Sequence, residues 1–341
     1  MILSFALIIL ASFFLGTFGL GMKYNKPLAW EAFWVIHAIT GMLIIPLIWG
    51  LLVVPNLFQS ILTAPSDAIF KGILFGFIWG IGGVMFGLSI RYVGVSLTYG
   101  VVMGTTGAIG SLVPLFQMDN FSDQAGFPYI LLGVLIMMTG VAIIAMAGLK
   151  REKILSESGF QIEGVKGGSQ FKKGIIIVSI SGVLSSFINI GFANALPVAK
   201  NAETLGASPI HASLAAWIVV LIGAIAFNLL YSGILLTMNK TWNTFALPKI
   251  GNAVKWAVIA AIFWFGSLGV YGLGAAKMGT LGTVIGWPVF VGLSLIFSNF
   301  WAIRAGEWKG MKKPMSLMFV GTFILIAATI ILAMANLMNT A

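Results

Sequence analysis

Ten stretches of this 341-residue chain are long and apolar enough to cross a bilayer, and 16 of its 19 basic residues fall in the odd-numbered connections between them. A span needs about 20 mainly apolar residues. The stretches that qualify are 2–22, 32–54, 70–90, 95–117, 128–148, 174–197, 210–236, 253–275, 280–302 and 315–337. Lys23 and Lys26 lie in the first connection, and Arg91 in the third. Lys150, Arg151, Lys153, Lys166, Lys172 and Lys173 lie in the fifth, Lys240, Lys249 and Lys255 in the seventh, and Arg304, Lys309, Lys312 and Lys313 in the ninth. The even connections hold only Lys71, Lys200 and Lys277, and the fourth carries Asp119 and Asp123. A water-soluble chain has no reason to sort its charge this way. An inserting polytopic protein does, because short loops rich in Lys and Arg stay on the cytoplasmic side. The odd connections are therefore expected in the cytoplasm and both termini outside. Ile2–Met22 has no basic residue ahead of it, unlike a secretory leader, and is expected to remain as the first span.

Composition removes most other classes. With 59% hydrophobic and 8% charged residues, and a mean hydropathy of +1.04, the chain has too little polar surface to cover a soluble core. The net charge of +10 does not point to nucleic acid, since the basic residues punctuate apolar spans and form no continuous footprint. There is no cysteine and there are two histidines, so neither a thiolate nor a histidine-rich metal site is expected, and no cofactor. No His-Glu-x-x-His, Gly-x-Ser-x-Gly or intramembrane Asp pair occurs, which argues against a membrane enzyme. The expected fold is an all-α integral membrane protein.

The charged stretch 149–173 divides the spans five and five, into 1–148 and 174–341, and reads as a cytoplasmic linker. Because five is odd, two similar halves must insert in opposite directions, as in the inverted repeats of many secondary transporters. The halves do echo each other. Trp79, Gly87, Leu88 and Gly94 recur 185 residues later as Trp264, Gly272, Leu273 and Gly279, and Phe86 is matched by Tyr271. The expectation is ten transmembrane helices arranged as two inverted five-helix repeats.

Glycines spaced by four in the third, fourth and ninth spans, among them Gly72, Gly76, Gly80, Gly100 and Gly104, allow close helix approach in lipid. Pro46, Pro114 and Pro288 lie within spans and free backbone carbonyls that need other donors. Polar side chains at membrane depth must also find partners, so they face the bundle interior or a pathway. Asn189, Asn194, Trp79, Trp217, Tyr271 and Trp287 are the candidates for lining a midplane site. Neutral amides and aromatic faces suit a small neutral polyol such as a sugar. Glu31 and His37 are the leading candidates for carrying a proton; the latter lies six residues on, about 9 Å deeper along the helix and off the same face.

Five segments carry a family resemblance: Trp30-Glu31-Ala32-Phe33-Trp34, Pro55-Asn56, Trp79-Gly80-Ile81-Gly82, Gly87-Leu88-Ser89-Ile90-Arg91-Tyr92-Val93-Gly94 and Glu307-Trp308. Through them the chain resembles the L-rhamnose–proton symporter family of the drug/metabolite transporter superfamily. The resemblance implies a secondary active transporter of the bacterial inner membrane, importing L-rhamnose or a related small neutral sugar with a proton by alternating access. The alternative is a proton-independent facilitator or exporter of another small metabolite. The chain departs from the family at Gly83, where the family carries Asn, at Ser267, Ala275 and Thr283, where its eighth and ninth spans are more polar, and at His37, which has no counterpart in the family.

Overall fold

A computed structural model describes residues 2–157 and 168–340, and the described residues form helices and turns without strands. Ten helical spans are present: Ile2–Tyr24, Trp30–Val53, Ser66–Val93, Val95–Phe116, Phe127–Leu155, Gln170–Thr204, Pro209–Met238, Gly251–Lys277, Gly279–Arg304 and Lys312–Met338. They correspond one for one to the ten apolar stretches, and most extend beyond them. The extra turns enter the headgroup layer, where polar side chains are solvated while the backbone still gains its intrahelical bonds. The fifth helix runs on through Lys150, Arg151 and Lys153 to Glu157, and helix resumes at Gly168. Of the expected linker 149–173, residues 158–167, with Lys166, lie outside the described residues.

The chain divides into two compact units. The first comprises Ile2–Gly80 and Gly191–Gly279, and the second Ile81–Ile190 and Thr280–Ala341. Each therefore draws helices from both sides of the 149–173 stretch, and spans three and six contribute to both.

In the first unit, span one lies along span eight, and span seven packs on spans two and eight. Span seven also meets span three at a mutual glycine crossing. A Cβ on Gly76 would strike the Val220 backbone, and a Cβ on Gly223 would strike the Ile73 backbone. Connections one and seven meet at one end, where Tyr24 stacks on Trp256 at 4.6 Å and Leu28, Phe33, Leu236 and Ala253 share a core. Connections two and six meet at the other: Asn201 Nδ2 donates to the Ser60 carbonyl at 2.7 Å, and Asn56 Nδ2 to the Leu205 carbonyl at 3.3 Å.

In the second unit, span five packs along span ten, and span four contacts spans five, six and nine. Its odd connections also converge. Arg151 Nε donates to the Glu307 carbonyl at 2.8 Å, its Nη2 pairs with the Glu307 carboxylate at 3.1 Å, and its guanidinium lies over Trp308. The backbone N–H of Ser96 donates to Glu152 Oε1 at 2.9 Å. Odd connections meet odd in both units, and even meet even in the first, the grouping that the sorted charge requires.

The three intramembrane prolines show how the bundle keeps its backbone satisfied. Proline lacks the N–H that would serve the carbonyl four residues earlier. Ahead of Pro46 the helix opens into a π-turn, Thr40–Ile44, and the Ile45 N–H reaches back five residues to the Thr40 carbonyl. Pro114 strips the Gly110 carbonyl, which instead accepts from Asn189 Nδ2 at 2.8 Å. Pro288 strips the Val284 carbonyl, which accepts from the Ser111 hydroxyl at 2.5 Å. Replacing Ser111 with alanine should therefore cost about 1 kcal/mol of stability. The same replacement should cost much less in a Pro288→Ala background, where the alanine supplies an N–H that restores the helical bond. Thermal unfolding of the two single variants and the double variant in one detergent measures this coupling; equal costs in both backgrounds would separate Ser111 from the proline.

Candidate functional site

Most spans are apolar on every side, so composition alone does not say which face of each helix looks inward. Packing supplies the answer in the first unit, where a column of aromatic rings runs inward from one membrane surface. Trp30, exposed at the start of span two, stacks on Trp34 at 5.4 Å. Trp34 stacks on His37 at 4.9 Å with only 24° between the planes. His37 meets Phe18 of span one at 6.3 Å and the edge of Trp264 of span eight at 6.0 Å. Trp264 in turn stacks on Trp79 of span three at 5.7 Å and 27°. Trp79 and Trp264 each lie at the middle of their helices, Ser66–Val93 and Gly251–Lys277, so the column ends midway along both spans.

His37 is fully buried, and neither ring nitrogen makes a hydrogen bond of normal geometry among the described residues. The Ala257 carbonyl of span eight lies within electrostatic reach of the ring. The rings packed on it, Phe18, Trp34 and Trp264, carry no ionisable group. Trp34 is fixed from behind: its Nε1–H donates to Asn228 Oδ1 at 2.9 Å, and Asn228 Nδ2 donates to the Ala224 carbonyl at 2.8 Å. Glu31, on the same helix and nearer the membrane surface, does not join the column. Its Oε1 accepts from Thr241 Oγ1 at 2.6 Å and Asn239 Nδ2 at 2.9 Å, which ties the start of span two to the end of span seven.

The other expected site residues fall into two further groups. In the first unit, Trp217 and Tyr271 are fully buried and close on each other at 6.2 Å, with Phe192 stacked on Trp217 at 4.2 Å. The Trp217 indole lies over Gly272, which leaves no room for a Cβ there. Asn194 is partly exposed on span six of the same unit. In the second unit, Asn189 is fully buried and bridges the Gly110 carbonyl to the Thr283 carbonyl at 3.0 Å. Trp287 lies over Gly110 and donates from Nε1 to the Thr106 carbonyl at 2.9 Å.

The structure thus links Trp79 to His37 through Trp264, sets Trp217 against Tyr271, and places Asn189 and Trp287 at Gly110. Trp34, Trp264 and Asn228 complete the column, and sequence reasoning did not place them in the site. Trp264 carried a signal, since it is the 185-residue echo of Trp79. Asn228 gave only its presence at membrane depth. The column combines a titratable imidazole, flat apolar faces and one amide.

Comparisons with known proteins identify the family. The profile of the L-rhamnose-proton symport protein family matches residues 2–337. L-rhamnose-proton symporters of Yersinia pestis (strain Pestoides F) and Yersinia pseudotuberculosis serotype O:1b (strain IP 31758) are each 27% identical to the chain over 315 residues, which is 90% of both proteins. Ten apolar spans and this match make the chain a multi-pass inner-membrane transporter, and it belongs to the L-rhamnose-proton symport protein family.

Proposed function

We propose that the chain imports L-rhamnose, or a closely related neutral sugar, together with a proton, and that the aromatic column is where the two meet. The observation that carries this is His37, buried without a formed hydrogen bond between indole faces that lead to the middle of spans three and eight. A protonated imidazole has two N–H donors and no acceptor capacity. Trp34 offers it a π-face for a cation. The Ala257 carbonyl offers one acceptor, and the hydroxyls of an arriving sugar offer others. Each ligand then improves the site for the other, and that coupling is reciprocal by linkage. The deoxygenated C6 and the C–H face of L-rhamnose suit the half-buried Trp79 ring better than a fully hydroxylated surface would.

One ring contact and one backbone fact support inverted five-helix repeats, 1–148 and 174–341. The repeat-matched tryptophans Trp79 and Trp264 stack on each other, as residues at a two-fold axis do. The matched glycines Gly94 and Gly279 both break their helices at positive φ, 82° and 73°. The sorted charge favours both termini outside and the odd connections, with 149–173, in the cytoplasm. Trp217 and Tyr271 brace the first unit and Asn189 and Trp287 the second, and Asn194 is a polar candidate for contact with the sugar. Glu31 is the second proton candidate.

A ligand that binds only the folded state raises the melting temperature, by about 2.7 kcal/mol of stabilisation at a hundred times its dissociation constant. L-Rhamnose is expected to raise it by several degrees, and hexoses with a hydroxylated C6 by less. A shift produced by a nucleoside or an amino acid and by none of the sugars would end the sugar reading.

A further inference from the structure

The loops at the Trp30 end of the first unit form a basic surface that carries no acid of its own. Residues 19–30 and 236–257 contain Lys23, Lys26, Lys240, Lys249 and Lys255 and no Asp or Glu. The two segments are held together by one core of Leu28, Phe33, Leu236, Ala253 and Ala257, with Phe245 and Trp256 packed against it. All five lysines are exposed. Lys26, Lys240, Lys249 and Lys255 have no ion pair among the described residues. The nearest acid in sequence, Glu31, is buried and held by Asn239 and Thr241. Between the lysines stand three exposed aromatic rings, Tyr24, Trp30 and Trp242, of the kind that settle at headgroup level. The odd connections of the second unit differ, since Glu152, Glu157 and Glu307 are interleaved with their basic residues.

Backbone geometry adds a separate indication. Among the described residues, four other than glycine have left-handed φ: Asn56, Asn120, Lys240 and Lys249. Asparagine tolerates that conformation and lysine does not, at a cost on the order of 1 kcal/mol. Both lysines that bear this cost belong to the acid-free surface, where their charge is the property that asparagine would lack.

We propose that this surface is a binding site for the headgroup of an anionic phospholipid, with its phosphate among the lysines and its glycerol region against Tyr24, Trp30 and Trp242. Lysines near an anionic membrane surface each contribute on the order of a few-fold in affinity. The surface bounds the span that carries His37, so an occupying lipid would also fix the outer end of the aromatic column.

Native mass spectrometry of the full-length chain in detergent, titrated with phosphatidylglycerol or phosphatidylcholine of matched acyl chains, tests this. Phosphatidylglycerol should be retained preferentially, and Lys240→Asn with Lys249→Asn should reduce its retention about tenfold. The lipid-free melting temperature of that double variant should match or exceed that of the unsubstituted chain, because asparagine accepts both left-handed backbone positions more readily than lysine. Lys309→Asn with Lys312→Asn, which removes the same charge from the second unit, should leave retention unchanged. Equal retention of the two lipids, unchanged binding in the Lys240/Lys249 variant, or an equal loss in the Lys309/Lys312 variant would each overturn the proposal.

Discussion

Gly223→Ala should reduce the stability of the protein by about 3 kcal/mol or more and leave little transport, as should Gly76→Ala. At this crossing of spans three and seven the backbones themselves are in contact. The added methyl on Gly223 would meet the Ile73 carbonyl and the Phe77 N–H, and on Gly76 the Val220 carbonyl and the Ala224 N–H. A side chain can swing to another rotamer, but a backbone in a helix cannot move alone. The helices would have to separate, losing the dispersion contacts that drive their association in lipid. Gly233, about three turns further along span seven, is the matched control, because a Cβ there meets nothing. Gly233→Ala is expected to gain up to about 1 kcal/mol from helix propensity alone. Unfolding of the three variants in one detergent measures the contrast. Similar stabilities for Gly223→Ala and Gly233→Ala would mean that the crossing is not what holds the first unit together.

The second large effect concerns coupling and not folding. His37→Phe keeps a flat ring between Trp34 and Trp264 and removes the only group in the column that can take a proton. The variant should fold, since the exchange removes two buried polar atoms that lack a formed hydrogen bond. Uptake of L-rhamnose driven by an inward pH gradient should then fall at least a hundredfold, with no accumulation above the external level. Counterflow, in which labelled sugar exchanges for unlabelled sugar across the membrane, should persist. Accumulation by His37→Phe at the normal level would take the proton away from His37. Glu31→Gln separates the other candidate. An amide oxygen can still accept from Asn239 and Thr241, so this substitution removes charge while keeping the tie between spans two and seven. Normal accumulation by Glu31→Gln assigns Glu31 to that tie.

The ten spans were legible because bilayer thickness imposes a length and an apolarity that few other structures require. The grouping of connections was legible for a related reason. Charge is sorted during insertion, so Arg151 with Glu307 and Tyr24 with Trp256 meet within sides already assigned. Asn189 shows why site residues were harder to read. An amide at membrane depth announces that it needs partners, but those partners are the Gly110 carbonyl freed by Pro114 and the Thr283 carbonyl, 79 and 94 residues away. Nothing local distinguishes that use from contact with a sugar. The His37 column has the same origin. Its rings come from spans one, two, three and eight, and helices that are apolar all round carry no pattern that tells which rings will meet. The exception is the stacked pair Trp79 and Trp264, which the 185-residue echo marks together in the sequence itself.

Proton movement on addition of sugar distinguishes symport from facilitated entry. Purified protein is reconstituted into vesicles with a weakly buffered exterior and a pH indicator outside, with no gradient imposed. Adding L-rhamnose should alkalinise the exterior as sugar and proton enter together, and collapsing proton gradients with an ionophore should abolish the signal. Labelled L-rhamnose entering at an undiminished rate with no change in external pH would contradict proton coupling and leave a facilitator.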